Sequence, residues 1–291
     1  MNKYRITSRK PLVIGGKKFT ADSLYSENDF KGISIDMLIR KKLITEVIIL
    51  SEPIVSDRNE PNFKIRLAIV SAIWGRPEIF DLFAKKTKQL KHKDVEIVVI
   101  IAGSEGKKSK EQVEKHGFKY IEIPNDPLAH KMNCTTELAG KYKCDYVLCV
   151  GSDDIITQPL FDFYVAEMKK STEFVGTLDW YFYDTKSKRF AYWGGYTDKR
   201  KGHTCGAGRL LNARLMSIFN WKPWNIEHSK VLDNSMQHKL TTLDYSSKII
   251  SLKEEGLIGL DVKSSTNMTP FQLWENTSYI EPTKELLLCV E

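Results

Sequence analysis

The stretch CDYVLCVGSDDIITQP, residues 144–159, decides how this sequence can fold. Its first part, DYVLCV (145–150), has the length and apolar composition of a strand that is buried on both faces. A Gly-Ser step follows, and then two adjacent aspartates, Asp153 and Asp154. Thr157 and Pro159 indicate the start of a helix directly afterwards. The stretch therefore predicts a buried strand whose carboxyl end presents a pair of carboxylates.

The residues upstream of this stretch alternate between strand and helix patterns. Strands are predicted at 64–74, 95–104 and 119–124, and helices at 76–90, 110–117 and 131–142. Alternation with short connections predicts an α/β fold with a mostly parallel, Rossmann-like sheet flanked by helices. Ligands bind beyond the carboxyl ends of such strands, so the segments 72–76, 102–105 and 151–154 are expected to border a ligand site.

The chain divides into three parts by composition. Residues 1–50 indicate a small N-terminal α+β module, with a hairpin signal at Gly15-Gly16. Residues 51–62 are polar, contain two prolines and are expected to be a linker. The remainder, 63–291, is expected to be one large domain.

The large domain is predicted to have two halves, 63–160 for nucleotide binding and 161–291 on the acceptor side. Within the second half, the aromatic-rich segment 175–196 predicts an antiparallel pair of strands. The segment GAGRLLNARLMSIF (206–219) is expected to be a helix led by glycine, followed by a loop, a helix and short strands. This half is expected to cover the open edge of the sheet and to form the other wall of a cleft.

The composition is that of an ordinary globular protein, with 42% hydrophobic and 28% charged residues. No apolar run approaches the roughly 20 residues that span a bilayer, and the basic N-terminus lacks the apolar core of a signal peptide. The five cysteines show no CxxC spacing, which favours reduced thiols and a cytoplasmic location. The net charge of +7 is a mild bias that is compatible with a polyanionic partner.

A pair of aspartates at a strand end suits a divalent cation. Mg²⁺ and Mn²⁺ prefer oxygen ligands, and proteins usually hold them with one or two carboxylates and the phosphates of a substrate. A cation held there neutralises a departing diphosphate and lowers the barrier to its departure. The alternative is an acidic turn in which an aspartate or Thr157 caps the next helix. Asp153 and Asp154 are the predicted metal ligands.

The segment HKMNCTTELAGKYKCDYVLCVGSDD (130–154) contains Lys131, Asn133 and the terminal aspartate pair in a characteristic order. In this order they resemble the nucleotide-sugar glycosyltransferases of the GT-A fold, most closely the large inverting family 2. There an Arg/Lys-x-Asn helix start precedes a buried strand that ends in Asp-x-Asp-Asp. Gly151 stands where that family has its first aspartate, a carboxylate that in relatives contacts the ribose or the metal. The resemblance covers about residues 64–240.

The resemblance also implies the residues that hold a nucleotide-diphosphate sugar, with a UDP-sugar as donor and Mn²⁺ or Mg²⁺ as cofactor. The end of the first strand is expected to meet the nucleobase and ribose, and the second strand end to contact the base. A plain helix start at Arg76-Pro77 and a plain tight turn at the second strand end are the alternatives. The implied nucleotide-binding residues are Ala72, Trp74, Arg76, Gly103, Ser104, Lys131, Asn133 and Ser152.

A glycosyl transfer also needs a general base for the acceptor proton, and a carboxylate suits that role. By the same resemblance Asp233 is the expected base, which makes the transfer inverting, and Glu227 is the substitute. A surface aspartate on an amphipathic helix is the alternative for Asp233. The segment NWKPWN (220–225) is similar to the Lys-Pro-Trp of a retaining family, but the histidine and glycine that precede it there are missing. A retaining mechanism is therefore not inferred.

The acceptor prediction comes from the N-terminal unit. Its sequence, YRITSRKPLVIGGKKFTADSLY (4–25), is similar to small modules of tailed-phage proteins. Such bacteriophages carry GT-A enzymes that glycosylate hydroxymethylated pyrimidines in DNA. An enzyme of this kind is expected to flip the target base out of the duplex or to act on single-stranded DNA. The basic segment TDKRKGHT (197–204) agrees with a polyanionic acceptor. DNA bearing a hydroxymethyl-pyrimidine is the predicted acceptor, and a glycan or a protein is the alternative.

Two other function classes stay open. A sugar-phosphate nucleotidyltransferase shares the fold, but it normally carries a Gly-Gly-x-Gly-Thr-Arg loop after the first strand, and SAIWGRPE (71–78) does not supply one. A binding or structural protein built on a decayed transferase domain is the other class, and the glycine at 151 motivates it. Transfer or hydrolysis of UDP-sugars with Mn²⁺ separates a glycosyltransferase from such a binding protein.

Overall fold

The computed structural model describes residues 3–6, 12–14, 17–19, 24–40, 43–47, 64–229, 232–267 and 271–291. The chain groups into two compact units, Met1–Pro53 with Met236–Tyr245, and Ile54–Ser235 with Ser246–Glu291. The expected linker, 51–62, lies outside the described residues. None of the described helices combines the length and apolar character that crossing a bilayer demands.

The smaller unit contains short strands and one helix. Its elements are β1 (Lys3–Ile6), β2 (Leu12–Ile14), β3 (Lys17–Phe19), β4 (Leu24–Ser26), the 3₁₀ turn Glu27–Phe30, α1 (Ile35–Arg40) and β5 (Ile44–Val47). β4, β1 and β5 form an antiparallel sheet. β2 pairs with β3, which confirms the predicted hairpin, although its glycine turn lies outside the described residues. The stacked rings of Phe19 and Phe30 lie in a small apolar core with Leu38 and Ile44.

The larger unit contains two sheets and the helices that pack on them. Its first elements are β6 (Ile65–Ala72), α2 (Pro77–Thr87), β7 (Val95–Gly103), α3 (Lys107–Glu114), β8 (Lys119–Glu122), α4 (Leu128–Lys141), β9 (Tyr146–Cys149), β10 (Asp154–Ile156) and α5 (Gln158–Lys169). The later elements are β11 (Phe174–Thr177), β12 (Trp180–Asp184), β13 (Arg189–Trp193), β14 (Arg209–Asn212), α6 (Ala213–Ile218), α7 (Leu232–Leu240), β15 (Ser247–Ile250), β16 (Gly259–Lys263), β17 (Thr277–Ile280) and α8 (Lys284–Val290). In α7 the residues from Met236 onward belong to the smaller unit.

The main sheet has the order β15-β11-β14-β9-β6-β7-β8 among the described residues. The neighbours β9, β6, β7 and β8 run parallel, as the alternation of strands and helices predicts. β6 is buried along nearly its whole length because helices cover both faces of the sheet. The α/β fold with a mostly parallel, helix-flanked sheet is therefore confirmed. The carboxyl ends of β9, β6 and β7 meet at one edge of this sheet, where most of the predicted metal and nucleotide residues lie.

The expectation of a glycine-led helix over 206–219 is wrong in its first part. Residues 209–212 form β14, which runs antiparallel to β9, and the helix begins only at Ala213. Leu210 and Leu211 are both fully buried, because β14 lies inside the sheet between β9 and β11. A strand that is buried on both faces does not alternate, so its apolar pair resembles the start of a helix. The second half of the chain thus continues the sheet beyond β9.

A second sheet has the order β10-β16-β12-β13-β17 among the described residues. The predicted antiparallel pair over 175–196 is confirmed in β12 and β13, with Trp180 opposite Trp193. β10 begins at Asp154 and runs antiparallel to β16. Its first residue belongs to the aspartate pair, so this second sheet starts directly at the predicted metal site.

Candidate functional site

Three aspartates converge at the end of β9. Three residues separate the end of the strand from Asp153 and Asp154, and the pairing of β10 with β16 places Asp154 opposite Asp261. One carboxylate oxygen from each of the three lies within 4.8 Å of the others. The sequence shows Asp261 only as a polar residue in the alternating GLDVK (259–263), and nothing in it indicates that this strand pairs with β10. Sequence reasoning therefore missed the third carboxylate.

Gly151 allows the two neighbouring aspartates to fold back over the chain. Its N–H donates to Asp154 Oδ2, and its carbonyl accepts the Asp154 N–H at 3.2 Å. A Cβ at this position would lie 2.5 Å from Asp153 Oδ1 and 2.9 Å from Asp154 Oδ2. Any side chain here, including the aspartate of the family pattern, collides with these carboxylates in this arrangement. The glycine before the pair is thus a packing requirement of the site.

Two cations lie against the aspartates. Arg76 donates from Nη1 to Asp153 Oδ2 at 2.7 Å and from Nη2 to Ser152 Oγ at 2.9 Å. Lys263, on the same face of β16 as Asp261, places its ammonium 2.6 Å from Asp261 Oδ2. The predicted residues Arg76, Ser152 and Asp153 are thereby brought into direct contact. The site combines three carboxyl groups with two cationic side chains, most of them largely buried.

The crowding of carboxylates raises their proton affinity. Burial, and then the charges of Asp261 and Asp153, raise the pKa of Asp154 well above its ordinary value. Burial also raises the pKa of Asp261 to about 7; Asp153 adds to this shift, whereas Lys263 opposes it. These raised values follow from placing like charges together away from water. A bound cation relieves this repulsion.

The donor set fits a divalent cation. Asp261 Oδ1 is buried and has no hydrogen-bond partner among the described residues. Like charges that face each other across two strands are destabilising, and here Asp154 faces Asp261. Three carboxylates supply the oxygen ligands that Mg²⁺ and Mn²⁺ prefer. Asp153, Asp154 and Asp261 are therefore the residues that would hold such an ion.

The Lys131 side chain forms hydrogen bonds to residues at the ends of two parallel strands, β6 and β7. Its ammonium donates to the Ile73 carbonyl after β6 at 2.7 Å, to Ser104 Oγ after β7 at 3.0 Å, and to Asn125 Oδ1 at 3.0 Å. Burial lowers the pKa of this ammonium to about 8. The predicted residues Lys131 and Ser104 are in contact, and they fix the edge where a nucleotide is expected.

Of the remaining strand-end residues, Trp74 is 55% exposed and available to a ligand. Ala72 is half-buried at the end of β6. Gly103 is buried, and a Cβ there would lie 2.6 Å from Ser109 Cβ and from the Tyr120 ring. Its lack of a side chain is thus explained by packing inside the protein.

Asn133 lies apart from these residues. It is buried, its Nδ2 donates to the Trp224 carbonyl at 2.9 Å, and its Oδ1 accepts the Trp224 N–H at 3.2 Å. Both ends of the amide are therefore used to hold the segment 220–225 against α4. In this arrangement the residue supports the wall of the site.

Asp233 lies in the first turn of α7. Its Oδ2 accepts the Tyr196 hydroxyl at 2.6 Å, and its carbonyl accepts Arg209 Nη1 at 2.9 Å. Glu227, the substitute base, is exposed. Asp233 is thus fixed by hydrogen bonds in a wall of the site, and it is not an aspartate on an open surface.

Two clefts meet at this position. One has a volume of about 460 Å³ and includes Gly151, Asp154 and Asp233 in its lining. The other, of about 680 Å³, includes Asp233, Asp261 and Lys263 and has aromatic walls. Gly206, Ala207 and Asp233 line both clefts. The predicted base therefore lies where a cleft beside the metal ligands joins a wider, aromatic one.

No protein-family model and no curated protein sequence matches the chain. Among solved structures, Staphylococcus aureus TarS 1-349 is similar, with a TM-score of 0.52 and 11% identity over 68% of this chain. TarS 1-349 in complex with UDP-GlcNAc gives 0.52 and 13% identity over 69% of this chain. In both cases the match spans 60% of the TarS chain. These similarities show a common fold.

A third structure, 4-diphosphocytidyl-2C-methyl-D-erythritolsynthase from Anaerococcus prevotii, has a lower TM-score of 0.44. It is 13% identical, and the match covers 65% of this chain and 87% of that one. A similarity at this level does not bear on the fold or on the function of the chain.

Proposed function

We propose that this chain is a metal-dependent glycosyltransferase that moves a sugar from a nucleoside diphosphate donor to an acceptor hydroxyl. The observation that carries the proposal is the cluster of Asp153, Asp154 and Asp261 at the carboxyl ends of parallel strands. It borders two clefts that share a further carboxylate, Asp233. The UDP-GlcNAc bound to TarS, which has the same fold, supports a UDP-sugar as the donor.

On the donor side, the aspartates would hold Mn²⁺ or Mg²⁺, which neutralises the negative charge of the departing diphosphate when bound. Arg76 and Lys263 add positive charge beside the same carboxylates. Trp74, Lys131 and Ser104 lie at the strand ends where the nucleoside is expected to bind. Together these residues supply a fixed electrostatic environment for the leaving group.

On the acceptor side, Asp233 is the proposed general base. The acceptor oxygen forms a bond to the anomeric carbon as the bond from that carbon to the diphosphate breaks, and the hydroxyl proton passes to the Asp233 carboxylate. Attack on the face opposite the leaving group inverts the anomeric configuration. The position of Asp233 between the two clefts supports this role.

The proposed acceptor is DNA with a hydroxymethylated pyrimidine, and a glycan or protein is the alternative. The basic segment 197–204 supports a polyanionic acceptor, because Thr197 and Arg200 line the wider cleft that contains Asp233. Binding to DNA releases counterions, so its affinity falls steeply with salt. A transfer rate on a simple saccharide that salt leaves unchanged would favour the glycan alternative.

The test is a mass-spectrometric screen of UDP- and GDP-sugars with Mn²⁺. The acceptors are hydroxymethyl-cytosine DNA, hydroxymethyl-uracil DNA, an oligosaccharide and a peptide. We expect one donor to give an acceptor product that is heavier by one sugar, or to be hydrolysed slowly when no acceptor is present. Asp153→Asn is expected to abolish both, and Asp94→Asn, at a surface ion pair with Lys169, is the matched control. If the wild-type protein neither transfers nor hydrolyses any of these donors, the result supports a binding protein built on a decayed transferase domain instead.

A further inference from the structure

Asp233 is held from two sides by residues that the reaction described above does not use. Tyr196 donates its hydroxyl to Oδ2, and Arg209 donates Nη1 to the carbonyl of the same residue. Arg209 is only 1% exposed, and its other hydrogen bonds go to Thr204 and Cys205. A buried arginine therefore fixes the main chain at the start of α7, and a tyrosine fixes the carboxylate.

Tyr196 is itself held in place. The ring of Trp193 meets it edge-on, with centroids 4.9 Å apart, and the Arg200 guanidinium lies over it, 4.0 Å from its centroid. Such contacts restrict the ring and thereby the direction in which its hydroxyl points. Asp233 Oδ1 receives no hydrogen bond from the described residues, so one oxygen of the carboxylate is restrained and the other is available.

We propose that Tyr196 is the positioning residue of the general base, and that it holds Asp233 Oδ2 so that Oδ1 takes the acceptor proton. The inference rests on the proposed function, in which Asp233 is the base. A hydroxyl that donates to a carboxylate favours the charged form, which is the form that accepts a proton. Tyr196 therefore contributes orientation and charge without touching the reacting atoms.

The charged and titratable groups that face Asp233 among the described residues come from two segments, the loop between β13 and β14 and β14 itself. Tyr196 and Arg200 lie on the loop after β13, Arg209 on β14, and the thiol of Cys205 beside Tyr196. Tyr196→Phe removes the hydrogen bond and leaves both arginines in place. A change in kcat in this variant can therefore be assigned to the lost hydroxyl.

The chain offers a matched control. Tyr192 donates its hydroxyl to Asp179 Oδ2 at 2.7 Å, the same type of bond at a buried aspartate that also accepts from Ser251 and Leu252. Tyr192→Phe thus removes an equivalent bond away from the proposed base. Any general effect of losing a tyrosine–aspartate bond appears in both variants, and an effect on the base appears only in Tyr196→Phe.

The experiment measures steady-state rates in wild type, Tyr196→Phe, Tyr192→Phe and Asp233→Asn. In Tyr196→Phe we expect kcat to fall roughly 10- to 100-fold with an unchanged KM for the donor, because the carboxylate of the base is no longer held in position. Tyr192→Phe should change neither.

A loss of kcat in Tyr196→Phe that is no larger than in Tyr192→Phe overturns the positioning role while the wild-type protein still transfers sugar. Failure of the proposed function gives a different pattern. In that case the wild type shows no transfer, or Asp233→Asn turns over at the wild-type rate. Either result also refutes the positioning role, because Asp233 is then not the base.

Discussion

Among single residues, Gly151 gives a direct test of how the acidic site is packed. A methyl group there meets Asp153 Oδ1 at 2.5 Å, so Gly151→Ala should lower the free energy of unfolding by about 1–3 kcal/mol. It should also weaken Mn²⁺ binding, because the two carboxylates have to move apart. Urea unfolding and Mn²⁺ titration measure the two effects.

Gly206→Ala is the matched control for stability. Its added methyl meets Asp233 Cβ at 3.4 Å, an ordinary contact, and should change stability by no more than about 0.5 kcal/mol. Equal losses in the two variants would contradict the close packing of the aspartate pair over Gly151.

The raised pKa values of Asp154 and Asp261 predict how stability depends on pH. In the unfolded chain both groups return to about 4, so the folded protein binds these protons more tightly. Their contribution to stability is therefore complete below about pH 4, and the part that comes from Asp261 is lost as the pH rises through about 7. In EDTA the free energy of unfolding of the wild type should fall from about pH 5 to about pH 8 more steeply than that of Asp261→Asn. Parallel curves in denaturant titrations would contradict the raised values.

Among the structural elements, the contact between α4 and the segment 220–225 separates a supporting from a ligand-binding role for Asn133. Asn133→Ala leaves the buried N–H and carbonyl of Trp224 unpaired, and should cost about 2–4 kcal/mol of stability. Thr135→Val removes a hydroxyl whose hydrogen bond within the described part of the chain goes to the Met132 carbonyl of the same helix, and should cost less than about 1 kcal/mol. A stable Asn133→Ala variant with weakened UDP binding would instead place the amide on the nucleotide.

The elements that the sequence predicts correctly are those with a clear period. The parallel core from β6 to β9 and the hairpin of β12 and β13 follow from apolar runs and alternation. β14 could not be predicted, because Leu210 and Leu211 are both buried within the sheet and give no alternation. Asp261 was missed for a different reason: its neighbour across the strands, Asp154, is 107 positions away in sequence, and cross-strand pairing leaves no local signal.

At the scale of the whole larger unit, the proposed function assigns Asp233, which lines both clefts, to the acceptor and not to the donor. Asp233→Asn should lower transfer by at least about 100-fold, because the acceptor proton has no base, and should leave UDP affinity unchanged. Product formation by mass spectrometry and UDP titration measure the two effects separately. A parallel loss of UDP affinity would show that Asp233 belongs to the donor site.

The net charge of +7 and the composition of the chain describe a basic globular protein and do not choose its acceptor. The structure adds a location, because Thr197 and Arg200 of the basic segment 197–204 line the cleft that also contains Asp233 and Asp261. Composition alone could not place that segment beside the acidic cluster. The parallel topology does predict that residues at the carboxyl ends of β6, β7 and β9 lie near one another, and there the structure agrees.

The most direct test of the central claim is calorimetric titration of UDP into the wild-type protein and into Asp153→Asn, each with Mn²⁺ and with EDTA. The cluster of Asp153, Asp154 and Asp261 is expected to hold the ion that binds the diphosphate. UDP should therefore bind to the wild type with Mn²⁺, and at least tenfold more weakly in EDTA or in the variant, a difference of about 1.4 kcal/mol or more. Equal UDP affinity in all four titrations would contradict the account.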